Sequence, residues 1–161
     1  MSHRAFVGVG ANLDDPEARV RHALESLRQL GKVRSSSLYR TEPLGRADQP
    51  WYTNAVAELR TALDPLPLLA ALQRLETLAG RAARRARHAP RVLDLDLLLF
   101  DRQILCSSRL TLPHPGLARR RFVLEPLSEL APELRDPRSG RSVSELLRTL
   151  DDPLRVEKHQ G

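Results

Sequence analysis

The chain has 161 residues, of which 41% are hydrophobic, and its formal net charge is +6. This length and composition predict one domain over residues 1–161 with a sizeable core, and they exclude a disordered chain. No apolar run is long enough for a membrane helix, and a single cysteine, Cys106, excludes an intrachain disulfide. A cytoplasmic protein is therefore expected.

Strand-like and helix-like segments alternate along the first 100 residues. Strands are predicted, from apolar or alternating runs, at 5–10, 32–42, 51–61 and 91–100. Asp-Pro pairs open two predicted helices, one from Pro16 to Gly31 and one from Pro65 to Gly80. The resulting β-α-β-β-α-β order is typical of a ferredoxin-like α+β core.

The residues after position 100 are predicted to add a strand-and-helix extension to this core. Residues 103–115 contain at least one further strand or extended piece, and 122–134, with two prolines, predict short helical turns. Ser142 and Glu145 have the spacing of a capping box, which predicts a helix there. The last ten residues are polar and are expected to fray.

Two carboxylates, Asp94 and Asp96, lie within the leucine-rich segment 91–100. Alternation along a strand would place both aspartates on one face. The opposite face would then consist of Leu93, Leu95, Leu97 and Leu99. Neighbouring carboxylates repel each other, and Mg²⁺ relieves that repulsion when phosphates complete its ligands. The alternative is an exposed pair of aspartates bound to nearby arginines.

Arginines surround this strand in the sequence. They are Arg81, Arg84, Arg85, Arg87 and Arg91 on its amino-terminal side and Arg109, Arg119, Arg120 and Arg121 after it. Metal-binding carboxylates beside arginines are the two halves of a nucleoside triphosphate site. A structural charge network would give the same pattern, so both interpretations stay open.

Tyr52 and Asn54 form a second pair on one predicted strand face. An aromatic ring can stack on a flat heterocycle while the amide pairs with its edge. The alternative is that both side chains only pack within the protein.

Several segments together resemble the 6-hydroxymethyl-7,8-dihydropterin pyrophosphokinases of folate biosynthesis. They are YRTEPLG (39–45), DQPWYTNAV (48–56), GR (80–81), PRVLDLDLLLF (90–100), LTLPHP (110–115) and RRFVLEPLSELAPEL (120–134). The resemblance implies a monomeric ferredoxin-like enzyme that transfers the terminal diphosphate of ATP to the pterin hydroxymethyl group and releases AMP, with two Mg²⁺ ions.

The resemblance also implies roles for individual residues. Asp94 and Asp96 correspond to the ligands that bridge both Mg²⁺ ions, and Arg81 and Arg91 correspond to stabilisers of transition-state charge. The positions that correspond to pterin contacts are Thr41, Pro43, Leu44, Tyr52, Asn54 and Phe122. The positions that correspond to ATP contacts are Gln73, Glu76, Arg84, Leu97, Arg109, Thr111, His114 and Arg120.

The chain departs from the family pattern mainly between residues 81 and 90. His88 and Ala89 replace a common Trp-Gly pair, and Ala83 replaces a second loop arginine, with Arg84 next to it. These departures affect the contacts of a closed loop with ATP more than the reaction itself.

Two other functions share parts of the pattern. A ferredoxin-like nucleic-acid-binding module would fit the strand order and the positive charge, although the chain lacks a K/R-G-F/Y strand for base stacking. A metal-dependent nuclease would use the same carboxylate pair without a pterin.

Overall fold

A computed structural model describes residues 2–13, 15–43, 50–80 and 93–159. In these ranges the strands are β1 His3–Ala11, β2 Lys32–Ser35, β3 Tyr39–Thr41, β4 Tyr52–Thr61, β5 Asp94–Phe100, β6 Leu105–Cys106, β7 Thr111–Leu112 and β8 Val156–Lys158. The α-helices are α1 Pro16–Ser26, α2 Pro65–Leu78, α3 Arg121–Leu130 and α4 Val143–Arg148. None of the described helices has the length and hydrophobicity needed to cross a membrane.

One antiparallel sheet organises the molecule, and its strand order is β5-β1-β4-β3-β8. β2 also pairs with β4, along residues 57–60, whereas β3 pairs with residues 52–54 of the same strand. β6 and β7 form a separate two-stranded sheet. Strand β1 therefore has β4 on one side and β5 on the other.

Helices α1 and α2 cover the first face of the sheet. α1 packs on β1 and β4, and α2 packs on β5. The predicted Asp-Pro starts are confirmed, and the Asp15 carboxylate accepts a hydrogen bond from the Ala18 amide at 3.3 Å. α2 ends at Leu78, just before the predicted Gly80, where the backbone has a φ of 102°, a conformation that favours glycine.

The second face of the sheet is covered only in part, by α3 and α4. Phe6, Val56 and Leu98 point to this side and pack with Leu124 and Leu127 of α3 in a second buried cluster. No described helix covers the remainder of this face, which carries the polar side chains described below.

The predicted leucine face of β5 is wrong beyond Leu97, because the strand contains a β-bulge. Leu97 pairs with Val7 and Leu99 with Phe6, so Leu98 is an extra residue between the two pairs. Leu95 and Leu97 lie in the first cluster as predicted, but Leu99 joins Leu98 in the second cluster. The bulge reverses the alternation, which simple period-two reasoning does not foresee.

Three further predictions need correction. The predicted strand 32–42 is divided into β2 and β3. Helix α3 continues through Pro126 as ten residues, because its apolar side is buried on the second face. The last residues do not simply fray, since β8 pairs with β3. The capping box is confirmed: the Ser142 hydroxyl accepts a hydrogen bond from the Glu145 amide at 3.1 Å.

The buried carboxylate of Glu58 links three strands on the second face. Arg4 of β1 donates a hydrogen bond to it at 2.6 Å, and Arg34 of β2 donates at 2.7 Å. Burial raises the pKa of Glu58, but the hydrogen bonds from Arg34 and Arg4 outweigh burial, so the pKa lies below its usual range. A lowered pKa stabilises the fold above the ordinary glutamate pKa and loses that effect as pH falls through the folded value.

Glu58→Gln should therefore lower the free energy of unfolding at neutral pH by about 1–3 kcal/mol, since two charge-assisted hydrogen bonds are lost. The difference from the wild type should shrink as the pH falls below about 4. Urea unfolding at several pH values measures both effects. Glu133→Gln is the control, because Glu133 is exposed and has no hydrogen bond or ion pair among the described residues. An equal loss at every pH would contradict the assigned pKa direction.

Candidate active site

A cavity of about 460 Å³, called here the central cavity, opens on the second face of the sheet. Strands β1, β3, β4 and β5 contribute to it together with the start of α3. The structure brings seven of the predicted site residues to its wall: Thr41, Tyr52, Asn54, Asp94, Asp96, Arg120 and Phe122. The pairs 52/54 and 94/96 thus share one face, as the alternation predicted.

Two glycines of β1 make room for these side chains. Gly10 is paired with Asn54 on one side and Asp94 on the other, and Gly8 is paired with Val56 and Asp96. A Cβ atom at Gly10 would lie 2.8 Å from the Asn54 Nδ2 atom, which is closer than real Cβ contacts. The Asn54 amide can therefore occupy its position only because Gly10 has no Cβ atom.

Two buried oxygen atoms in the cavity wall have no hydrogen-bond partner among the described residues. They are the Thr41 Oγ1 atom and the Asn54 Oδ1 atom. A buried polar atom without a partner is unfavourable by about 1–3 kcal/mol. The two atoms are therefore suited to a ligand that brings hydrogen-bond donors.

Tyr52 and Phe122 supply aromatic rings to the cavity from different elements, β4 and α3. The Arg120 guanidinium lies 5.7 Å from the centre of the Phe122 ring. Burial raises the pKa of the Tyr52 phenol, and the nearby negative charge of Asp94 raises it further. Tyr52 therefore keeps its proton at neutral pH and acts as a neutral ring.

Asp94 is half-buried, whereas Asp96 is exposed at the wall of the cavity. No cluster of three or more histidine, cysteine or acidic side chains with metal-site geometry occurs in the described ranges. Asp94 and Asp96 offer two carboxylates, and Mg²⁺ commonly takes one or two carboxylates together with phosphate oxygens.

His114 lies close to this carboxylate pair without lining the cavity. Its backbone amide donates to the Leu98 carbonyl, and its Nδ1 atom accepts a hydrogen bond from the Gly116 amide at 2.9 Å. The neutral ring therefore carries its proton on Nε2. Burial lowers the pKa of His114 and the charge of Arg120 adds to this, while the charge of Asp96 opposes it.

Other predicted site residues stand apart from the central cavity. Pro43, Gln73, Glu76, Leu97, Arg109, Thr111 and His114 are not among its lining residues. Leu97 is buried in the first cluster, on the face opposite the aspartates. The buried Glu76 carboxylate accepts a hydrogen bond from the Leu95 amide at 2.8 Å, and so ties α2 to β5. Leu44, Arg81, Arg84 and Arg91 lie outside the described residues.

Sequence reasoning missed several residues of the cavity wall. Gly8, Gly10, Asp152 and Leu154 all line it. The two glycines had a local signal, because they alternate with valine in a strand, where glycine marks close approach. Nothing in the local sequence places Asp152 and Leu154 beside residues more than 90 positions earlier in the chain.

Comparison with known proteins connects this cavity to one family. Residues 6–132 match the family model of 7,8-dihydro-6-hydroxymethylpterin-pyrophosphokinase. The chain is 47% identical over 150 residues to the 2-amino-4-hydroxy-6-hydroxymethyldihydropteridine pyrophosphokinase of Pseudomonas aeruginosa. The aligned region covers 91% of each chain. It is 42% identical to the enzyme of the same name from Haemophilus influenzae, covering 92% of this chain and 93% of that one.

A solved structure has the same fold. The Plasmodium falciparum HPPK-DHPS crystal structure with pteroate matches 92% of this chain with a TM-score of 0.75 and 15% identity. This chain spans 42% of that longer one. The family match gives no support to the nucleic-acid-binding alternative. Both the sequence relatives and the family model show that the chain belongs to the 7,8-dihydro-6-hydroxymethylpterin-pyrophosphokinase family.

Proposed function

We propose that this chain transfers the diphosphate group of ATP to the hydroxymethyl group of 6-hydroxymethyl-7,8-dihydropterin, giving AMP and the pterin diphosphate in tetrahydrofolate biosynthesis. The observation that carries the proposal is the central cavity, which combines unpaired buried oxygens, two aromatic rings and a carboxylate pair. Family membership supports the same reaction.

The pterin ring would occupy the part of the cavity between Tyr52 and Phe122. A flat heterocycle gains stacking contact from both rings. Its ring N–H and amino groups would donate to the unpaired Asn54 Oδ1 and Thr41 Oγ1 atoms. A pterin offers both a flat ring and such donors, whereas an aliphatic ligand of equal size would leave these oxygens buried and unpaired.

The carboxylates of Asp94 and Asp96 would hold Mg²⁺ at the phosphate end of the cavity. Their side chains share one strand face opposite two glycines, so no neighbouring β1 side chain screens them. When bound with the nucleotide, Mg²⁺ supplies neutralisation of the phosphate oxygens. The family resemblance suggests two ions. Phosphate oxygens of ATP would have to complete the coordination of both.

The protein's own contribution to the reaction is mainly positioning and charge. Asn54 and the two rings would orient the hydroxymethyl oxygen toward the β-phosphorus of ATP. In direct transfer, the bond from this oxygen to the β-phosphorus forms while the bond from the β-phosphorus to the α,β-bridging oxygen breaks. AMP then leaves, and the hydroxyl proton passes to solvent or product. Cys106, an exposed residue outside the cavity lining, offers no covalent alternative.

The ATP site would extend from the carboxylates toward basic residues. Arg120 lines the cavity, and His114 is close enough for its pKa to respond to Asp96. Arg81 and Arg91 would stabilise charge that develops on the phosphates. The remaining positions proposed for ATP are Gln73, Glu76, Arg84, Leu97, Arg109 and Thr111. Pro43 and Leu44 are proposed for the pterin through their backbone groups.

We also propose that β1, β2, β4 and β5 with α1 and α2 form a ferredoxin-like core. Their sheet order, β5-β1-β4-β2, supports this arrangement. The family resemblance favours a monomer that acts in the cytoplasm, and sedimentation analysis of the purified chain tests the monomer.

The direct test of the proposed function is product analysis with MgATP. AMP and the pterin diphosphate should form in equal amounts when 6-hydroxymethyl-7,8-dihydropterin is present, and AMP should be nearly absent without it. Formation of ADP instead of AMP would contradict diphosphate transfer.

Asp96→Asn should reduce the rate of AMP formation by roughly 100-fold or more, because charge neutralisation at the phosphates is lost. The exposed position of Asp96 predicts an unchanged fold, which circular dichroism checks. Glu133→Gln serves as the matched carboxylate-to-amide control, since Glu133 does not line the cavity. Normal turnover by Asp96→Asn would mean that the metal assignment is wrong.

Gly10→Ala should raise the KM for the pterin by roughly tenfold, the effect of losing about one ligand hydrogen bond. The reason is the 2.8 Å approach of the added Cβ atom to Asn54 Nδ2. In a double-mutant cycle, Gly10→Ala should add little to the effect of Asn54→Ala, because both act through one amide. Additive effects would show that Gly10 acts in another way.

A further inference from the structure

The segment from Asp152 to Lys158, called here the carboxyl-terminal segment, lies against the central cavity. Asp152 and Leu154 form part of the cavity wall. The end of the segment is strand β8, in which Val156 pairs with Thr41 of the cavity wall. The proposed function assigns no role to this segment.

Backbone and ring contacts fix the segment to the start of β4 and to β3. Glu42 and Arg155 exchange two hydrogen bonds, from the Glu42 amide to the Arg155 carbonyl at 3.0 Å and from the Arg155 amide to the Glu42 carboxylate at 3.2 Å. The guanidinium groups of Arg155 and Arg40 lie 5.1 Å and 5.5 Å from the centre of the Trp51 ring. Trp51 therefore reports on whether the segment is in place.

The Asp152 carboxylate connects this segment to helix α3. One oxygen accepts a hydrogen bond from the Arg121 amide at 2.9 Å, and the other accepts from the Leu154 amide at 3.0 Å. Arg121 is the first residue of α3, and Arg120, at the N-cap position, makes no side-chain capping bond. Asp152 thus supplies from a distant part of the chain the acceptor and the negative charge that a helix start favours.

The start of α3 carries two side chains of the site, Arg120 and Phe122. The amide that Asp152 holds lies between them in the sequence. A shift at this point would move the Phe122 ring relative to Tyr52, which comes from β4. The spacing between the two rings therefore depends on a contact made outside both elements.

We infer that Asp152 is a positioning residue for the pterin, acting through the start of α3 to hold Phe122 in the central cavity. This inference rests on the proposed function and adds the carboxyl-terminal segment to its substrate site. The Asp152 carboxylate would act by fixing the start of α3, without direct contact with the phosphates.

Asp152→Ala should raise the KM for the pterin by about fivefold to tenfold, the factor obtained if the roughly 1 kcal/mol that a helix cap contributes to stability is lost from pterin binding. The KM for ATP should change less than the KM for the pterin. Asp152→Asn keeps one oxygen acceptor and should recover part of the loss. The control is Asp151→Ala, because Asp151 is exposed and does not line the cavity.

Fluorescence of Trp51, the single tryptophan, distinguishes two effects of the substitution. One is a shift of the start of α3, and the other is detachment of the carboxyl-terminal segment. If Asp152 acts through α3, the emission of Trp51 in Asp152→Ala should match that of the wild type while the KM for the pterin rises. A shifted emission with equal increases in both KM values would show a merely structural role and overturn the inference. An unchanged KM for the pterin in Asp152→Ala would overturn it as well.

The assay of the wild type shows whether the inference about Asp152 or the proposed function itself is wrong. If the wild type forms AMP and the pterin diphosphate but Asp152→Ala has the same KM for the pterin, only the role of Asp152 is wrong. If the wild type forms neither product, the proposed function fails, and the role of Asp152 fails with it.

Discussion

The register of β1 between β4 and β5 is the constraint on which the site depends. Gly10 stands opposite both Asn54 and Asp94, and Gly8 stands opposite Asp96. A slip of one residue would turn every side chain of a strand to the other face. Burial of Val7 and Val9 beneath α1 and α2 fixes this register, since a slip would expose them. The hydrophobic core on one face thus aligns the polar groups on the other.

Two neighbouring glycines explain how a polar cavity can form at the centre of a sheet. Along β1, residues that face the helices are apolar, whereas Gly8 and Gly10 leave space on the opposite side. That space is filled from neighbouring strands by an amide and by two carboxylates. The outer wall comes from α3, whose own apolar residues are anchored in the second cluster by Leu124 and Leu127. Packing at one end of α3 and the Asp152 contact at the other set where Phe122 lies.

Electrostatic effects divide the cavity into two chemically different ends. Near Tyr52, burial and the charge of Asp94 favour the neutral phenol, which suits stacking on a ring. Near Asp96, the half-buried ring of His114 responds to the negative charge of Asp96 and to the positive charge of Arg120. Burial keeps His114 neutral at the pH where it would otherwise begin to gain a proton. A ring-binding end and a charge-bearing end are what a reaction between a heterocycle and a nucleotide requires.

The sequence by itself determined the two helices on the first face, most strands of the sheet and the shared faces of Tyr52 with Asn54 and of Asp94 with Asp96. These features depend on local periodicity and on Asp-Pro starts, which act over a few residues. Only the tertiary structure decided the bulge at Leu98, the continuation of α3 through Pro126, the pairing of β8 with β3 and the place of Asp152 in the cavity wall. Each depends on contacts between distant parts of the chain: strand pairing, burial of an apolar helix side and a cap supplied from 31 residues further along. Such contacts have no local signature, because the energy that favours them exists only after the elements have packed together.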